Sequence, residues 1–365
     1  MTLIDTDVHV RWQTDRDMLP YLDETWHERW LHGAGHTERG IRIKSQYYDP
    51  DAWGVNQPGL TSVHASAVPS AAELRTGWLE PHGFDALLLG VYDAPLLATF
   101  GDTHFPVALA TAVNRWLADT FLDADPRFHG GIVVATQDPE AAAREIRRAA
   151  THPRFTHVVL PAGTNKPYGH AYYRPIFRAA VDCGLAVVIT SGTEGLGTSH
   201  APTPTGWPGT AAEMRVVPLT NFLCHLTSLV TEGIFVDFPS LRIVAQEIGV
   251  AWLPTFLWRF DKNYKGLRSE CPWVRELPSE IVCRHVRFTS QGAGPVEPAA
   301  EFWRLLNALP DPDVLMYSSN HPRWDTEPPT TSFALTTCPE PRRASLAAGK
   351  ALETFPRLAG STITV

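Results

Sequence analysis

The sequence predicts one α/β domain spanning residues 1–365, a distorted (β/α)8 TIM barrel with an insertion near its N-terminus that covers the barrel mouth. Three observations carry this reading. From residue 84 onward, short runs rich in Val, Ile and Leu alternate with segments of helical period. Continuous apolar strands separated by helices imply a parallel sheet buried on both faces. With the opening strand the runs number eight, which closes a barrel. No Gly-rich G-x-G-x-x-G turn follows the first strand, which counts against a doubly wound open sheet, the alternative that alternation allows.

The elements follow in order. Residues 2–10 read as the first strand. Residues 11–80 lack clean periodicity and are rich in Trp, His, Gly and Pro. So long a stretch is an insertion rather than plain loop, with short helices such as Asp17–Glu28. Its Arg42, Lys44, Tyr47 and Tyr48 are read as solvated surface, with contact to a substrate anion as the alternative. Strands are predicted over 84–90, 131–135, 157–160, 185–189, 241–245, 285–289 and 314–317, and helices over 105–122, 139–150, 172–183, 250–264 and 299–309. Asp138 before Pro139 is a helix start, an N-cap followed by proline in the first turn. Gly184 is a helix stop. Residues 211–237 read as one long helix, bent at Pro218. A helical tail occupies about 326–365.

Composition narrows the function. A formal charge of -8 and the absence of a Lys/Arg run argue against a nucleic-acid role. No apolar run approaches the ~18 residues of a membrane span, and no basic-then-apolar leader opens the chain. The expectation is a cytoplasmic protein acting on a small molecule. Five scattered Cys without a CxxC pair read as reduced thiols. No GxSxG elbow supports a nucleophilic serine.

In such a barrel the chemistry sits at the C-terminal ends of the strands. Asp5, Asp7 and His9 alternate along the first strand and are placed on one face. Glu247 ends a strongly apolar strand, where a carboxylate is costly to bury unless it is paired or ligated. Thr190 ends the fifth strand and Asn320 follows the eighth. Arg215 and His170 lie on segments that reach the same end and are candidates for substrate contact. His225, between Leu223 and Leu226, reads as a hydrogen-bonded core histidine.

The chain resembles the amidohydrolase superfamily, in the branch typified by aminocarboxymuconate-semialdehyde decarboxylase. The resemblance spans nearly its whole length. It rests on Ile4-Asp5-Thr6-Asp7-Val8-His9, Asn114-Arg115-Trp116-Leu117-Ala118, Gln137-Asp138-Pro139-Glu140, Tyr173-Arg174-Pro175-Ile176-Phe177, Gly233-Ile234-Phe235-Val236-Asp237-Phe238-Pro239, Leu257-Trp258-Arg259 and Tyr317-Ser318-Ser319-Asn320-His321-Pro322-Arg323-Trp324-Asp325. It implies a distorted βα barrel, often dimeric, whose metal centre drives decarboxylation or hydrolysis. Asp7 and His9 match the family's first ligand pair, and Glu247 matches one form of its strand-six residue. Thr190 stands where a His ligand is usual, Asn320 where an Asp ligates the metal and shuttles a proton, and Arg215 where a His is common.

Three readings follow. The first is a divalent ion, zinc by family habit, held by Asp7, His9 and Glu247 with no organic cofactor, acting on a small planar carboxylate. The second is a metal-free lyase, isomerase or cyclase using the same three groups as acids and bases, with Asn320 among the catalytic residues. The third is a non-catalytic subunit of an active relative. The assembly implied by resemblance is a homodimer or a heteromer with a related amidohydrolase.

Overall fold

The computed structural model describes residues 2–32, 36–37, 40–41, 69–216, 218–323 and 325–358. Eight strands, all parallel and neighbouring in chain order, form one sheet: β1 Ile4–Val10, β2 Ala86–Val91, β3 Phe128–Val133, β4 Phe155–Pro161, β5 Ala186–Thr190, β6 Ile243–Gln246, β7 Val286–Thr289 and β8 Leu315–Met316. The sheet closes where the β1 amides of Thr6 and His9 donate to Tyr317 O (3.1 Å) and His321 O (2.7 Å). This is the predicted barrel.

Two apolar layers hold it. Outside, the strands pack against helices including His104–Leu117, Pro139–Ala149, Arg174–Asp182 and Leu253–Leu267. Asn114 pins the first of these, accepting from Val133 N (2.8 Å) and donating to Val133 O (2.9 Å) at the end of β3. Inside the barrel, Ile4, Ala86, Leu88, Val188, Val244 and Met316 meet Ala351, Phe355 and Leu358 from the C-terminal segment. The tail is therefore a plug in the floor of the barrel.

Local signals behave as their chemistry requires. The Asp138 carboxylate accepts from Ala141 N (2.9 Å) at the start of Pro139–Ala149. Gly184 takes the left-handed φ of 65° that ends the next helix. The long helix predicted over 211–237 is three pieces, Ala211–Val216, Pro218–Thr231 and Ile234–Asp237. Pro218 lacks the N–H needed to continue a helix, and Gly233 turns left-handed at φ 73°. Ala71–Leu74 is one of the short helices expected in the insertion, and Pro278–His285 is a helix where none is predicted.

Much of the insertion expected to cover the barrel mouth lies outside the described residues; of its described parts, residues 11–32 pack on the first barrel helix and Trp78 stacks on His321. Trp12 and Trp30 are buried and meet edge-on (5.7 Å), and Trp12 also meets Trp116 (5.9 Å) on the first barrel helix. Arg42, Lys44, Tyr47 and Tyr48 lie outside the described residues. The five cysteines form no disulfide. Among the described residues, no helix is long and apolar enough to cross a membrane.

Four buried histidines make the fold acid-labile. Burial first, with nearby positive or imidazole charge at some of them, lowers His129, His225 and His285 to about 4 and His157 to about 3, from an ordinary 6.5. The native state therefore binds fewer protons than the unfolded chain between those values and 6.5. Stability is full above pH 6.5 and falls as the pH drops toward 4. Asp5, raised to about 6 by burial, and Asp7, Glu194 and Glu327, also pushed up mainly by burial, work the other way; His9 and His321, each lowered to about 3, add to the four histidines and keep the balance on their side. The urea midpoint is expected to fall steadily from pH 7 to pH 4.5. A midpoint that held or rose over that range would contradict these assignments.

Candidate active site

The site begins with an irregularity in β1. Asp5 pairs with Leu87 and Val8 with Leu89, so two residues, Thr6 and Asp7, oppose the single Leu88. Such a bulge breaks the strict alternation of faces. Val8 joins the outer core, while Thr6 and His9 line the cavity and Asp7 reaches His9 beside it. Asp5 is not part of the cluster, contrary to the face predicted from period-two alternation. It is fully buried on the other side, accepting from Trp78 Nε1 (3.2 Å) and Ser319 N (2.9 Å). It ties β1 to the last strand.

Two further strand ends complete the cluster. Glu247 follows β6 at φ 59° and Asn320 follows β8 at φ 61°, the two described non-glycine residues with left-handed backbone. Such conformations carry a cost, and they gather at functional sites. Each is held by its neighbours. Glu247 N donates to Thr289 Oγ1 (3.0 Å), and Asn320 N donates to Asp7 O (3.0 Å).

His9 is the hub. Its Nε2 donates to Asn320 Oδ1 (2.8 Å), with Asp7 Oδ1 at 3.2 Å and Glu247 Oε1 at 3.7 Å. The Asn320 amide is oriented by donation of its Nδ2 to Asp325 Oδ1 (2.8 Å), whose other oxygen accepts from Gln291 Nε2 (3.0 Å). Gln246 donates to Asp7 Oδ1, while the buried Asp7 Oδ2 has no hydrogen-bond partner. Arg323 reaches in from the loop after β8, 3.3 Å from Glu247 Oε2, with its guanidinium over the Tyr92 ring at 5.3 Å. Burial opposes its charge, but Glu247, Tyr92, Asp325 and Asp7 outweigh that and hold it protonated.

Burial, then the charges of Glu247 and Asp5, push the Asp7 carboxyl well above its usual range. Burial and Arg323 lower His9 to about 3. The cavity above them is lined on its apolar side by Leu88, Val91, Tyr92, Pro95 and Val159. His157, Thr190 and Ser191 also face it.

A divalent ion fits this donor set. Asp7, His9 and Glu247 offer ligand atoms within 4.8 Å of one another. The 3.2 and 3.7 Å separations from His9 lie inside the roughly 4.2 Å open to two ligands each ~2.1 Å from a shared ion. Asp7, Glu247 and Asp325 bring three carboxyl groups against the guanidinium of Arg323, with Arg215 further out, and Asp7 Oδ2 keeps an unused lone pair. Oxygen donors with one imidazole suit a harder ion than zinc, such as manganese or magnesium. His9 would ligate through Nε2 in its other tautomer, giving up the bond to Asn320.

The remaining predicted residues are placed as follows. Thr190 is buried in the cavity wall. Arg215 stands exposed near the mouth, where Arg323, Asp325, Glu247 and Tyr92 all act on its charge. His170 is exposed, caps a short turn by accepting from Tyr172 N (3.1 Å), and is not among the residues lining the cavity. His225 is the core histidine expected, accepting from Tyr168 N (3.2 Å) and donating to Ala162 O (2.8 Å). Arg323, Gln246, Tyr92 and His157 were not singled out as site residues. Gln246 had a positional signal as the last residue of β6, whereas Arg323 lies on the loop well past β8 and had none.

Comparison with known proteins agrees with this fold. The amidohydrolase family model matches residues 61–356. A gamma-resorcylate decarboxylase of Rhodococcus jostii is 26% identical over 206 residues, covering 52% of this chain and 59% of that one. The chain thus aligns with little more than half the length of that relative. The 5-carboxyvanillate decarboxylase of Sphingomonas paucimobilis has the same fold, with TM-score 0.66, 25% identity and coverage of 97% and 99%. So does that of Novosphingobium aromaticivorans, solved with manganese and 4-hydroxy-3-methoxy-5-nitrobenzoic acid, with TM-score 0.69, 23% identity and coverage of 97% and 96%. From the barrel, the strand-end cluster and the match over most of its length, the chain belongs to the amidohydrolase family.

Proposed function

We propose that this protein is a divalent-metal-assisted decarboxylase of a small aromatic carboxylate. The observation that carries the reading is the convergence of Asp7, His9 and Glu247, with Arg323 beside them, at the catalytic end of the barrel. The relatives named gamma-resorcylate and 5-carboxyvanillate decarboxylase support the reaction class. The neighbour holding manganese supports that metal over zinc.

A bound ion there supplies Lewis-acid polarisation of a substrate oxygen. The chain's own residues do the rest. Leu88, Val91, Tyr92, Pro95 and Val159 give the cavity an apolar wall against which a flat ring would pack with its face away from water. Gln246 fixes Asp7, and Asp325 fixes Asn320. Loss of carbon dioxide leaves a ring carbon that must gain a proton. The Asn320 amide is too weak an acid to supply it; outside the cluster the cavity offers the Tyr92 hydroxyl and the His157 ring, beside the barely acidic hydroxyls of Thr6, Thr190 and Ser191. His157 Nδ1 is held by Thr156 Oγ1 at 3.0 Å.

A second reading has support in the Arg323–Glu247 pair, which supplies a positive charge without a metal. It makes the chain a metal-free acid–base enzyme or a non-catalytic partner of an active relative. Protein loaded with manganese is expected to release carbon dioxide from gamma-resorcylate, 5-carboxyvanillate or a related hydroxybenzoate, and to stop when chelated. No release from any of them, with or without metal, favours the second reading. The assembly, a homodimer or a heteromer, belongs to the same proposal and is read by sedimentation.

A further inference from the structure

Two cations have a claim on one carboxylate. Glu247 is a ligand for the ion in the reading above, yet both its oxygens face Arg323 Nη1, Oε1 at 3.5 Å and Oε2 at 3.3 Å. The main chain under the guanidinium is fixed. Arg323 N donates to Asn320 O (2.9 Å), so the arginine is anchored to the β8 end of the cluster. Its side chain lies over Tyr92, which is part of the apolar wall.

We propose that Arg323 is a specificity residue that exchanges partners, pairing with Glu247 while the centre is empty and with the carboxylate of an aromatic ligand once an ion takes Glu247. This rests on the metal-centre reading above. The physical reason is charge conservation in a buried space. An ion that engages Glu247 draws off the closest anion of Arg323 and leaves it the weaker pull of Asp325 and Asp7, and a largely buried guanidinium short of its partner is costly. A ligand carboxylate entering the cavity relieves that cost. Metal and ligand therefore bind with positive coupling, and linkage makes the coupling equal in both directions.

The experiment is titration calorimetry on the full chain. Manganese is titrated with and without 4-hydroxy-3-methoxy-5-nitrobenzoate, and the carboxylate is titrated with and without manganese. In the wild type, each is expected to tighten the other by roughly 10-fold, within the span of ordinary coupling energies. In Arg323→Gln, manganese alone binds several-fold tighter than in the wild type, because its competitor is gone. Carboxylate binding weakens at least tenfold and the coupling falls below twofold. Arg323→Lys keeps the charge, restores part of the coupling, and covers a Gln variant that fails to fold. Unchanged coupling in Arg323→Gln, with manganese bound, overturns the partner exchange and leaves the metal centre standing. Failure of both wild type and Arg323→Gln to bind manganese overturns the metal centre and the exchange together.

Discussion

Asn320→Asp is expected to lower the stability of the metal-free protein and raise its affinity for manganese. In the native chain the Asn320 Nδ2 donates to Asp325 Oδ1 at 2.8 Å, and Oδ1 accepts from His9. A carboxylate at 320 replaces that donor with an oxygen facing the Asp325 carboxylate, in a site that already holds Asp7 and Glu247. Removing a buried donor costs about 1–3 kcal/mol, and like charge adds to it. The melting temperature in chelator should drop by several degrees. With metal present the sign reverses. A unit charge ~4 Å from an ion, at an effective dielectric near 20, contributes a few kcal/mol, so manganese should bind at least roughly tenfold tighter. Melting in chelator and calorimetry in manganese read the two halves separately. Opposite signs are the signature, and an equal change in both conditions would exclude a metal-linked role for position 320.

Phe355→Ala is expected to cost about 3–5 kcal/mol, the range for deleting a buried aromatic ring from a core. Phe355 is 1% exposed, and its ring sits 5.6 Å from that of His157 inside the barrel. It packs with Ile4, Leu88 and Met316 in the floor. Leu88 also lines the cavity, so the floor and the cavity share a wall. Urea unfolding measures the effect. A loss under 1 kcal/mol would show that the C-terminal segment is an appendage rather than a plug.

The barrel was legible because alternation of apolar runs and helices is a long-range pattern that eight repeats reinforce. The bulge at Thr6–Asp7 was not, because a one-residue shift in pairing leaves no mark on a period of two. It is the reason Asp5, equal to Asp7 and His9 in the sequence, leaves the cluster. The plug was hidden for a related reason. A tail helix with apolar positions looks the same whether it covers a flank or a floor. Pro278–His285 escaped because its eight residues run directly into β7, with no turn between them. Arg323 lies three residues past the last predicted site residue, on a loop whose path only tertiary structure sets. Asp7, His9 and Glu247 were found together because strand ends converge in a barrel, whatever lies between them in sequence.

In the proposed reading Asp7, His9 and Glu247 form one ion site. Manganese content after reconstitution and desalting, read by plasma mass spectrometry on the wild type and on His9→Ala, tests it most directly. About one manganese per chain is expected in the wild type and a near-complete loss in His9→Ala, with both proteins folded. An empty wild type, or equal manganese in both, would contradict it.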